Sequence, residues 1–511
     1  MISRTNIERV LFKVALIPLV LLSVTAPAAG EPPDTTRLAV VGGTIIPATG
    51  ATVIRNGVVL ISDGRIERVG ASVKIPDGYR KIDARGKWVT PGLIDTNAHL
   101  ILTTVPEFFV KYEDRLEAIA LQSAQVALKY GMTTIGDTWG PLEPLLAVRD
   151  RINAGEEIGT RVLVAGNIIG CGGPFTAYFM KGWDVRGDSI RYGGWVHPDI
   201  QRRIDETWEA GVGPNLLAMT PEEIGDALRA YIARGVDFIK VCVSGHSLGA
   251  VEPLMFSDEA LAVMRNEARR AGIPFTTHTF SVASLRQAID VGADFLLHPN
   301  VMSVPYAAAS RQQRDAIEAL AAEAAAKGIQ AGLMAIPNKE HMEIMAGWDP
   351  RAHPQAGYLN RIMLNRGAFV SDDGYEKGAE GVRIWIESGV EYTIATDQGP
   401  ESADLGPTVW GRLGRAHFER MEALQQLGEE PADILIAATR NGAAAYRLDG
   451  EFGTIEEGKI ADLLIVDADP HRDIANLRQI HAVIKDGQVV DRSALPTEPV
   501  LDYDPEAEWP F

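Results

Sequence analysis

The sequence predicts an α/β protein: a (β/α)8 TIM barrel plus a small β-sandwich domain formed from both chain ends. Two observations carry this prediction. Residues 91–445 alternate eight short β-branched segments with periodic helical segments, a pattern typical of parallel strands joined by helices. Residues 37–90 and 446–495 are instead strand-rich, and neither segment is long enough to bury a core alone. We therefore expect the two end segments to pair with each other.

The composition supports a globular protein without a nucleic-acid partner. The chain has 511 residues, of which 46% are hydrophobic and 23% charged, and this excludes a disordered or fibrous protein. The net charge of −19 argues against binding to a phosphate backbone, which requires a dense lysine and arginine surface. Two cysteines cannot provide a disulfide framework, so the hydrophobic core has to hold the fold.

The N-terminus has the pattern of an export signal. Three basic residues within 4–13 precede an apolar run at 14–24, and the small-residue motif Ala-Pro-Ala occupies 26–28. The run of 11 residues is too short to cross a bilayer, which takes about 20. We expect a signal peptide at 1–28, a periplasmic or secreted protein and no stable membrane span; the alternative is an uncleaved anchor.

Turn signals divide the end segments into strands. Asn56-Gly57, Asp63-Gly64 and Asp486-Gly487 are flanked by β-branched residues, and such dipeptides are typical of hairpin turns. In the middle segment, each predicted strand ends in a polar or glycine cluster. The eight strands are GLIDTNAH, MTTIGDTWG, RVLVAGNIIG, VDFIKVCVSG, PFTTHTF, ADFLLHPN, IQAGLMA and EYTIATDQG. Long interruptions at 171–219 and 337–380 follow the third and seventh strands, where barrel enzymes place substrate-determining loops.

Six polar residues lie at or near the ends of these strands. In a barrel all of these ends point to one face. A lone strand histidine, a buried lysine or a terminal aspartate each has a structural explanation, but six in register favour a metal or acid–base site. The six are Asn97 and His99 on strand one, Lys240 on strand four, His278 on strand five, His298 on strand six and Asp397 on strand eight.

These residue types fit one kind of chemistry. Imidazole nitrogen and carboxylate oxygen suit zinc and neighbouring divalent ions, and a catalytic site keeps one position open for water. Lys240 lies among apolar residues, so desolvation would lower its pKa and leave a nucleophilic amine. Such an amine can capture carbon dioxide as a carbamate that bridges two metals. Asp397 would then bind one metal and take a proton from the metal-bound water.

At this point the chain resembles the amidohydrolase superfamily, specifically its imidazolonepropionase-like branch. The matching pieces, in order, are DGRIERVG, IDARGKWVTPGLIDTNAHL, GVDFIKVCVSG, HTFSVASLRQAIDVGADFLLHP, IATDQG and GTIEEGKIADLLIVDADP. The resemblance implies a metal-dependent hydrolase barrel with a β-sandwich, and a homo-oligomer. It also implies five metal-site residues: His99, carboxylated Lys240, His278, His298 and Asp397.

The first metal motif departs from the family pattern. The family's first strand normally ends in His-x-His, whereas this chain has Asn97-Ala98-His99. A carboxamide oxygen is a poorer zinc ligand than imidazole, so Asn97 is a weak or absent ligand. Three outcomes stay open: a binuclear centre with altered metal preference, a mononuclear site held mainly by His278 and His298, or a dead enzyme. An Asn-x-His motif looks like the phenylurea and molinate hydrolase subgroup, which favours activity.

Other residues offer weaker predictions. His246, after strand four, could touch substrate or supplement the metal shell, or be a solvent-facing loop residue. Tyr306 could donate its hydroxyl to a substrate carbonyl, although an ordinary packing role is favoured. Trp139, Trp183 and Trp195 lie in loops after strands two and three, where they could line an aromatic pocket or pack a long insertion.

The sequence thus predicts an exported metal-dependent amidohydrolase with one or two divalent ions per chain. Zinc is expected, with manganese or cobalt as alternatives. Metal-activated hydroxide would attack an amide, urea, carbamate or N-acyl amino acid, and Asp397 would carry the proton to the leaving nitrogen.

Two rivals remain for this small-molecule enzyme. A periplasmic dipeptidase would need a cation for the substrate carboxylate, and no unambiguous arginine or lysine ends a strand. A non-catalytic binding protein with a degraded metal site is favoured only by Asn97. A deaminase or isomerase suits an exported protein less well.

Overall fold

The computed structural model describes residues 37–101, 112–173, 198–245, 254–300, 311–335, 372–400 and 413–495. Several sequence predictions lie outside these ranges: the signal peptide at 1–28, His246, Tyr306, Trp183 and Trp195. Most of 337–380 and part of 171–219 also lie outside them.

The described ranges contain 16 strands, and each of the eight strands predicted for the middle segment contains one of them. The strands are β1 (Leu38–Ile45), β2 (Ile54–Ser62), β3 (Arg65–Gly70), β4 (Arg80–Asp83), β5 (Trp88–Pro91), β6 (Leu93–Ala98), β7 (Met132–Asp137), β8 (Arg161–Val164), β9 (Ile239–Cys242), β10 (Phe275–His278), β11 (Phe295–Leu297), β12 (Gln330–Leu333), β13 (Tyr392–Ile394), β14 (Leu463–Val466), β15 (Ile480–Lys485) and β16 (Gln488–Val489).

The helices of the described ranges lie between the middle strands and after the last of them in sequence. They are α1 (Leu116–Lys129), α2 (Leu142–Asn153), α3 (Pro198–Glu209), α4 (Pro221–Ile232), α5 (Asp258–Ala271), α6 (Val282–Asp290), α7 (Arg311–Ala326), α8 (Asp372–Glu387), α9 (Ala416–Gln426), α10 (Pro431–Ile436) and α11 (Gly442–Ala445). A π turn at Ala437–Asn441 joins α10 to α11, and 3-10 turns occupy Pro214–Ala218 and Ile474–Arg478. No helix in these ranges is both long and apolar enough to cross a bilayer.

Strands from both chain ends share one eight-stranded sheet. Its order is β16-β15-β14-β5-β1-β2-β3, with β4 paired to β1. The join runs through β5, which pairs in parallel with β1 and antiparallel with β14, so that Val89 lies opposite Ile465. Buried aliphatic side chains from both ends, Val40 and Ile465 among them, form a common core. Hydrophobic burial therefore holds together residues such as Val40 and Ile465, which are 465 − 40 = 425 positions apart in sequence.

The turn dipeptides behave in two ways. Asp63-Gly64 and Asp486-Gly487 have positive φ at both residues, as a tight hairpin turn requires. The expectation for Asn56-Gly57 is wrong, because this pair lies inside β2, where the register against β1 shifts. Asn56 has φ of +49°, and a Cβ on Gly57 would lie 2.3 Å from the Cδ1 atom of Ile45. The positive φ of Asn56 and the lack of a side chain on Gly57 thus accommodate an irregularity within a strand.

The middle strands form two parallel sheets, which makes this part of the chain an α/β fold. One sheet has the order β6-β7-β8 and the other β13-β12-β11-β10-β9, and neither sheet is closed. Isolated bridges connect their edges: Ala98 pairs with Gln398, and Ile169 pairs with Val241. The carboxyl ends of β6 and β13 therefore lie side by side, and so do those of β8 and β9.

The two long interruptions are not purely loop. Helix α3 lies within 171–219, and helix α8 begins within 337–380. In α3, Ile204 and Trp208 are four residues apart and both are buried, so they share one helix face. The Trp208 ring packs edge-on against Trp139 with 5.7 Å between centroids. The charged residues of this helix hide its short apolar stripe in the sequence.

A buried ion cluster ties the middle segment to the end sheet. Asp462, which precedes β14, pairs with Arg161 of β8 and with Lys485 at 3.7 Å, and all three side chains are largely buried. The backbone N–H of Asp486 also donates to Asp462 at 2.7 Å. Against the cost of burial, Lys485 and Arg161 lower the pKa of the Asp462 carboxyl.

Because removing one partner leaves buried charges unpaired, we expect Asp462→Asn to lower the free energy of unfolding by about 3 kcal/mol in urea titrations. Glu206→Gln breaks the exposed Arg202 pair on α3 and is the matched control, with an expected free energy of unfolding close to that of wild type. Equal losses for the two variants would contradict this account.

A buried histidine predicts a pH-dependent stability. His417 lies in α9, and burial together with the Arg478 cation lowers its pKa to about 3. The pKa of a histidine in the unfolded chain is about 6.5. As the pH falls, the unfolded chain therefore binds a proton at His417 before the folded chain does. The contribution of neutral His417 to the free energy of unfolding is therefore complete above pH about 6.5 and is lost progressively below it.

We therefore expect His417→Leu to reduce the difference in unfolding free energy between pH 7.5 and pH 5 by about 2 kcal/mol. The measurement is chemical denaturation at the two pH values. Leu424→Ala, which replaces a buried residue of the same helix that has no titratable group, is the control and should leave the difference unchanged. An unchanged pH dependence in His417→Leu would refute the assignment.

Candidate metal centre

The first strand of the middle segment points its polar residues to one side. Asp95 and Asn97 lie on β6 and His99 directly follows it, so alternate side chains share a face. Both carboxylate oxygens of Asp95 are occupied: Oδ2 accepts from the Thr396 hydroxyl at 2.6 Å, and Oδ1 accepts from the Asn97 N–H at 3.1 Å. The Asp95–Thr396 hydrogen bond thus connects β6 to the segment after β13 that contains Asp397.

Asp397 is the most accessible carboxylate in this group. Its Oδ1 atom accepts hydrogen bonds from Asn97 Nδ2 at 2.9 Å and His99 Nε2 at 3.0 Å. Its side chain is 33% exposed, against 4% for His99. Desolvation opposes ionisation, but the His99 hydrogen bond and the charges of His298 and Lys240 hold the pKa of Asp397 well below its usual range. The carboxylate is therefore ionised, oriented and within reach of a small molecule.

Two site residues have strained backbones. His298 has φ of +40° and Asp397 has φ of +59°, in the left-handed region that residues with a Cβ rarely adopt. Each such residue costs on the order of 1–3 kcal/mol and persists where surrounding contacts impose it. Both lie just past the carboxyl end of a strand, at the point where the chain turns away. In this conformation Asp397 contacts His99 and His298 contacts His278.

The two histidines of neighbouring strands are in direct contact. His278 ends β10 and His298 follows β11, and the strands pair in parallel. His278 Nδ1 lies 3.2 Å from His298 Nε2, with the ring planes at 77°. The Phe280 ring packs 4.4 Å from that of His278 and 5.4 Å from that of His298. Both imidazoles are buried, so this aromatic contact limits their rotation.

Lys240 lies on β9 and is almost completely buried. Burial lowers the pKa of its amine, against the attraction of Asp397. Its Nζ atom donates to the Thr138 hydroxyl at 3.1 Å, and that hydroxyl donates to Asn97 Oδ1. Lys240 therefore reaches the β6 residues through Thr138.

Three residues of this region were not predicted from the sequence: Asp95, Asp137 and Thr138. Asp137 ends β7, and its carboxylate accepts from the N–H groups of Leu100 at 2.7 Å and Trp139 at 3.3 Å. Burial raises the pKa of Asp137 to about 6. A sequence signal existed, because Asp137 and Thr138 close strand two just as Asn97 and His99 close strand one.

The donor set suits a divalent ion but is incomplete as the side chains stand. In the part of the chain that the structure describes, no three His, Cys, Asp or Glu side chains come together to hold a metal. His278 and His298 provide adjacent imidazoles, and the buried Nδ1 atom of His99 has no hydrogen-bond partner among the described residues. A further anionic ligand has to come from Asp397 or from a carboxylated Lys240. Imidazole and carboxylate donors of this kind fit zinc or a similar ion.

The structure thus brings the sequence-predicted residues into two contacting groups. Asn97, His99 and Asp397 form one, and His278 and His298 form the other; Lys240 joins the first through Thr138. Trp139, a candidate for an aromatic pocket wall, is instead buried, and its indole N–H donates to Asn167 at 3.0 Å. Its ring packs against Trp208 of α3, which agrees with the alternative that it packs the long insertion.

Comparisons with known proteins identify the family. The amidohydrolase family model matches residues 88–490. The structure is similar to that of a molinate hydrolase, with 31% identity, a TM-score of 0.78 and coverage of 92% of this chain and 98% of that chain. Phenylurea hydrolase B gives 30% identity, a TM-score of 0.79 and coverage of 92% and 100%. Imidazolonepropionase of Mesorhizobium japonicum is 22% identical over 454 residues, 86% of this chain and 94% of the relative. The chain belongs to the amidohydrolase family, in its imidazolonepropionase-like branch.

Proposed function

We propose that this chain is an exported, metal-dependent hydrolase of carbon–nitrogen bonds in amides, ureas, carbamates or N-acyl amino acids. The observation that carries the proposal is Asp397: an ionised carboxylate, partly exposed and fixed by Asn97 and His99 beside buried imidazoles and a buried amine. The two solved relatives near 30% identity, named as hydrolases of molinate and phenylurea, match almost their whole length. Family membership, site chemistry and global similarity therefore support the same reaction class.

A closed (β/α)8 barrel is part of this proposal. His99 N–H donates to the Gln398 carbonyl at 2.7 Å, across the gap between β6 and β13. Ile169 N–H donates to the Lys240 carbonyl at 2.8 Å, across the gap between β8 and β9. These bonds join both pairs of sheet edges at their carboxyl ends. Closure there would direct the eight strand ends to a single face.

The residues of the site divide the work of hydrolysis. His278, His298 and a carboxylated Lys240 would hold the metal ion, which when bound supplies a Lewis acid that polarises a carbonyl and makes water more acidic. Asp397, held ionised, accepts a proton from the attacking water and passes it to the leaving nitrogen. The His99 and Asn97 hydrogen bonds keep its carboxylate aimed during both transfers. Both Asn97 side-chain atoms are engaged in the protein, which favours one ion per chain.

The first experiment is elemental analysis of protein purified without chelators, followed by a panel of aryl ureas, N-acyl amino acids and dipeptides. We expect about one zinc-type ion per chain, turnover of a urea or N-acyl substrate, and loss of turnover with a chelator that zinc, manganese or cobalt reverses. Exclusive cleavage of dipeptides would instead support the dipeptidase. Tight ligand binding without turnover, with no response to added metal, would identify a binding protein.

Export is supported by the residue pattern at 1–28. Expression of the full chain in a bacterium and N-terminal sequencing of the periplasmic fraction test it. We expect a mature chain that begins after Ala28. Recovery of the intact chain in the cytoplasm would refute export and leave the proposed chemistry unaffected.

A further inference from the structure

We propose that Thr138 is a positioning residue: its buried hydroxyl connects Lys240 to Asn97, and Asn97 in turn orients Asp397. The inference rests on the proposed function and deepens it. It assigns a role to Asn97, the residue at which the first metal motif departs from His-x-His. It also assigns one to Thr138, whose hydroxyl lies between Lys240 and Asn97.

The hydrogen bonds have only one consistent direction. An amide nitrogen can only donate, so the Asn97 Nδ2 group donates to Asp397 Oδ1 at 2.9 Å. This fixes the carboxamide and turns its Oδ1 atom toward Thr138. The hydroxyl has a single hydrogen, which it gives to Asn97 Oδ1, and its oxygen accepts from Lys240 Nζ at 3.1 Å. The chain of donors therefore runs from Lys240 through Thr138 and Asn97 to Asp397.

Burial makes this chain sensitive to any change. Thr138 and Asn97 are fully buried and Lys240 nearly so. Water therefore cannot readily replace a missing hydroxyl, and an unsatisfied buried carboxamide is costly. In such surroundings the members of a hydrogen-bond chain also strengthen one another. Loss of the Thr138 hydroxyl would leave Asn97 free to rotate away from Asp397.

The strained backbone of Asp397 explains why an orienting residue is needed. Asp397 has a left-handed φ, and its N–H donates to the Asn97 carbonyl at 2.6 Å. Asn97 thus binds Asp397 through both main chain and side chain. Because its Nδ2 and Oδ1 atoms both form hydrogen bonds within the protein, Asn97 acts as a hydrogen-bonding residue and not as a metal ligand.

Three variants test the role of the hydroxyl. Thr138→Val removes it at similar volume, and Thr138→Ser keeps it. Thr160→Val is the matched control, because Thr160 is buried and its hydroxyl has no hydrogen-bond partner among the described residues. We expect Thr138→Val to lower kcat about 30-fold with KM within about threefold, as loss of one bond in a charged network predicts. Thr138→Ser should restore kcat to within about threefold of wild type, and Thr160→Val should match wild type.

A double-mutant cycle tests whether Thr138 acts through Asn97. On an Asn97→Ala background, the connection to Asp397 is already broken. We therefore expect Thr138→Val to cause no further loss of kcat in that background. If the losses of kcat from the two substitutions multiplied in the double variant, the inference would be overturned. It would also be overturned if Thr138→Ser lowered kcat as much as Thr138→Val.

Crystal structures of the metal-loaded wild type, Thr138→Val and Thr138→Ser give a readout that does not depend on turnover. We expect the Asn97 carboxamide to turn away from Asp397 in Thr138→Val and to keep its place in Thr138→Ser. An unmoved Asn97 in Thr138→Val would overturn the inference even in an active hydrolase. If the wild-type protein turned over no substrate, the proposed function would be wrong. The position of Asn97 in the crystal structures would still decide whether Thr138 is a positioning residue.

Discussion

Asp397→Asn is expected to lower kcat about a thousandfold while the chain still folds. The amide keeps an oxygen that can accept from Asn97 and His99, so the hydrogen-bond geometry at Asp397 Oδ1 can persist. It has no negative charge and cannot take a proton from water. The loss should therefore appear in kcat, measured on the best substrate of the panel, with little change in the melting temperature.

Asp449→Asn is the control for this change, because Asp449 is exposed on the surface of the described part of the chain. It should have wild-type kcat. If Asp397→Asn kept activity within about tenfold of wild type, Asp397 would not be the group that moves the proton. A variant that failed to fold would show a lost thermal transition, which separates a structural failure from a chemical one.

Lys240→Ala is expected to lose both the bound metal and turnover, the latter by about a thousandfold. Lys240 is buried and its amine pKa is lowered, which favours the neutral form that carboxylation requires. If a carbamate on Lys240 supplies anionic oxygens to the metal, alanine leaves a cavity in which a small carboxylate could do the same. Millimolar acetate or propionate should then restore part of the metal content and part of the turnover.

Lys240→Met provides the matched variant, since its side chain fills the space of the lysine stem without a nitrogen. We expect it to fold, to lack metal by elemental analysis and to show no response to acetate. Metal content and turnover at wild-type levels in Lys240→Met would exclude Lys240 as a ligand. Rescue of both variants by acetate would point to a general salt effect.

Much of the fold could be predicted because its signals are local. Each middle strand is a short apolar, β-branched run that ends in a polar cluster, and this pattern located all eight strands. The same rule located the candidate residues, since His278 and Asp397 each follow such a run. Helix α3 was missed because its two core residues, Ile204 and Trp208, are surrounded by charged positions. Asn56-Gly57 was misassigned because a turn and a strand irregularity call for the same left-handed residue.

The sequence alone determined which residue types end the strands, because side-chain alternation and chain reversal are properties of a few neighbouring residues. Only the tertiary structure decided which atoms meet. Asn97 and Asp397 are 300 positions apart, and Thr138 lies 102 positions from Lys240. Their contacts depend on strand pairing and on how each buried donor finds an acceptor, and no local pattern encodes that choice. Asn97 therefore reads in the sequence as a weakened metal ligand, whereas the folded chain gives it hydrogen bonds to Asp397 and Thr138.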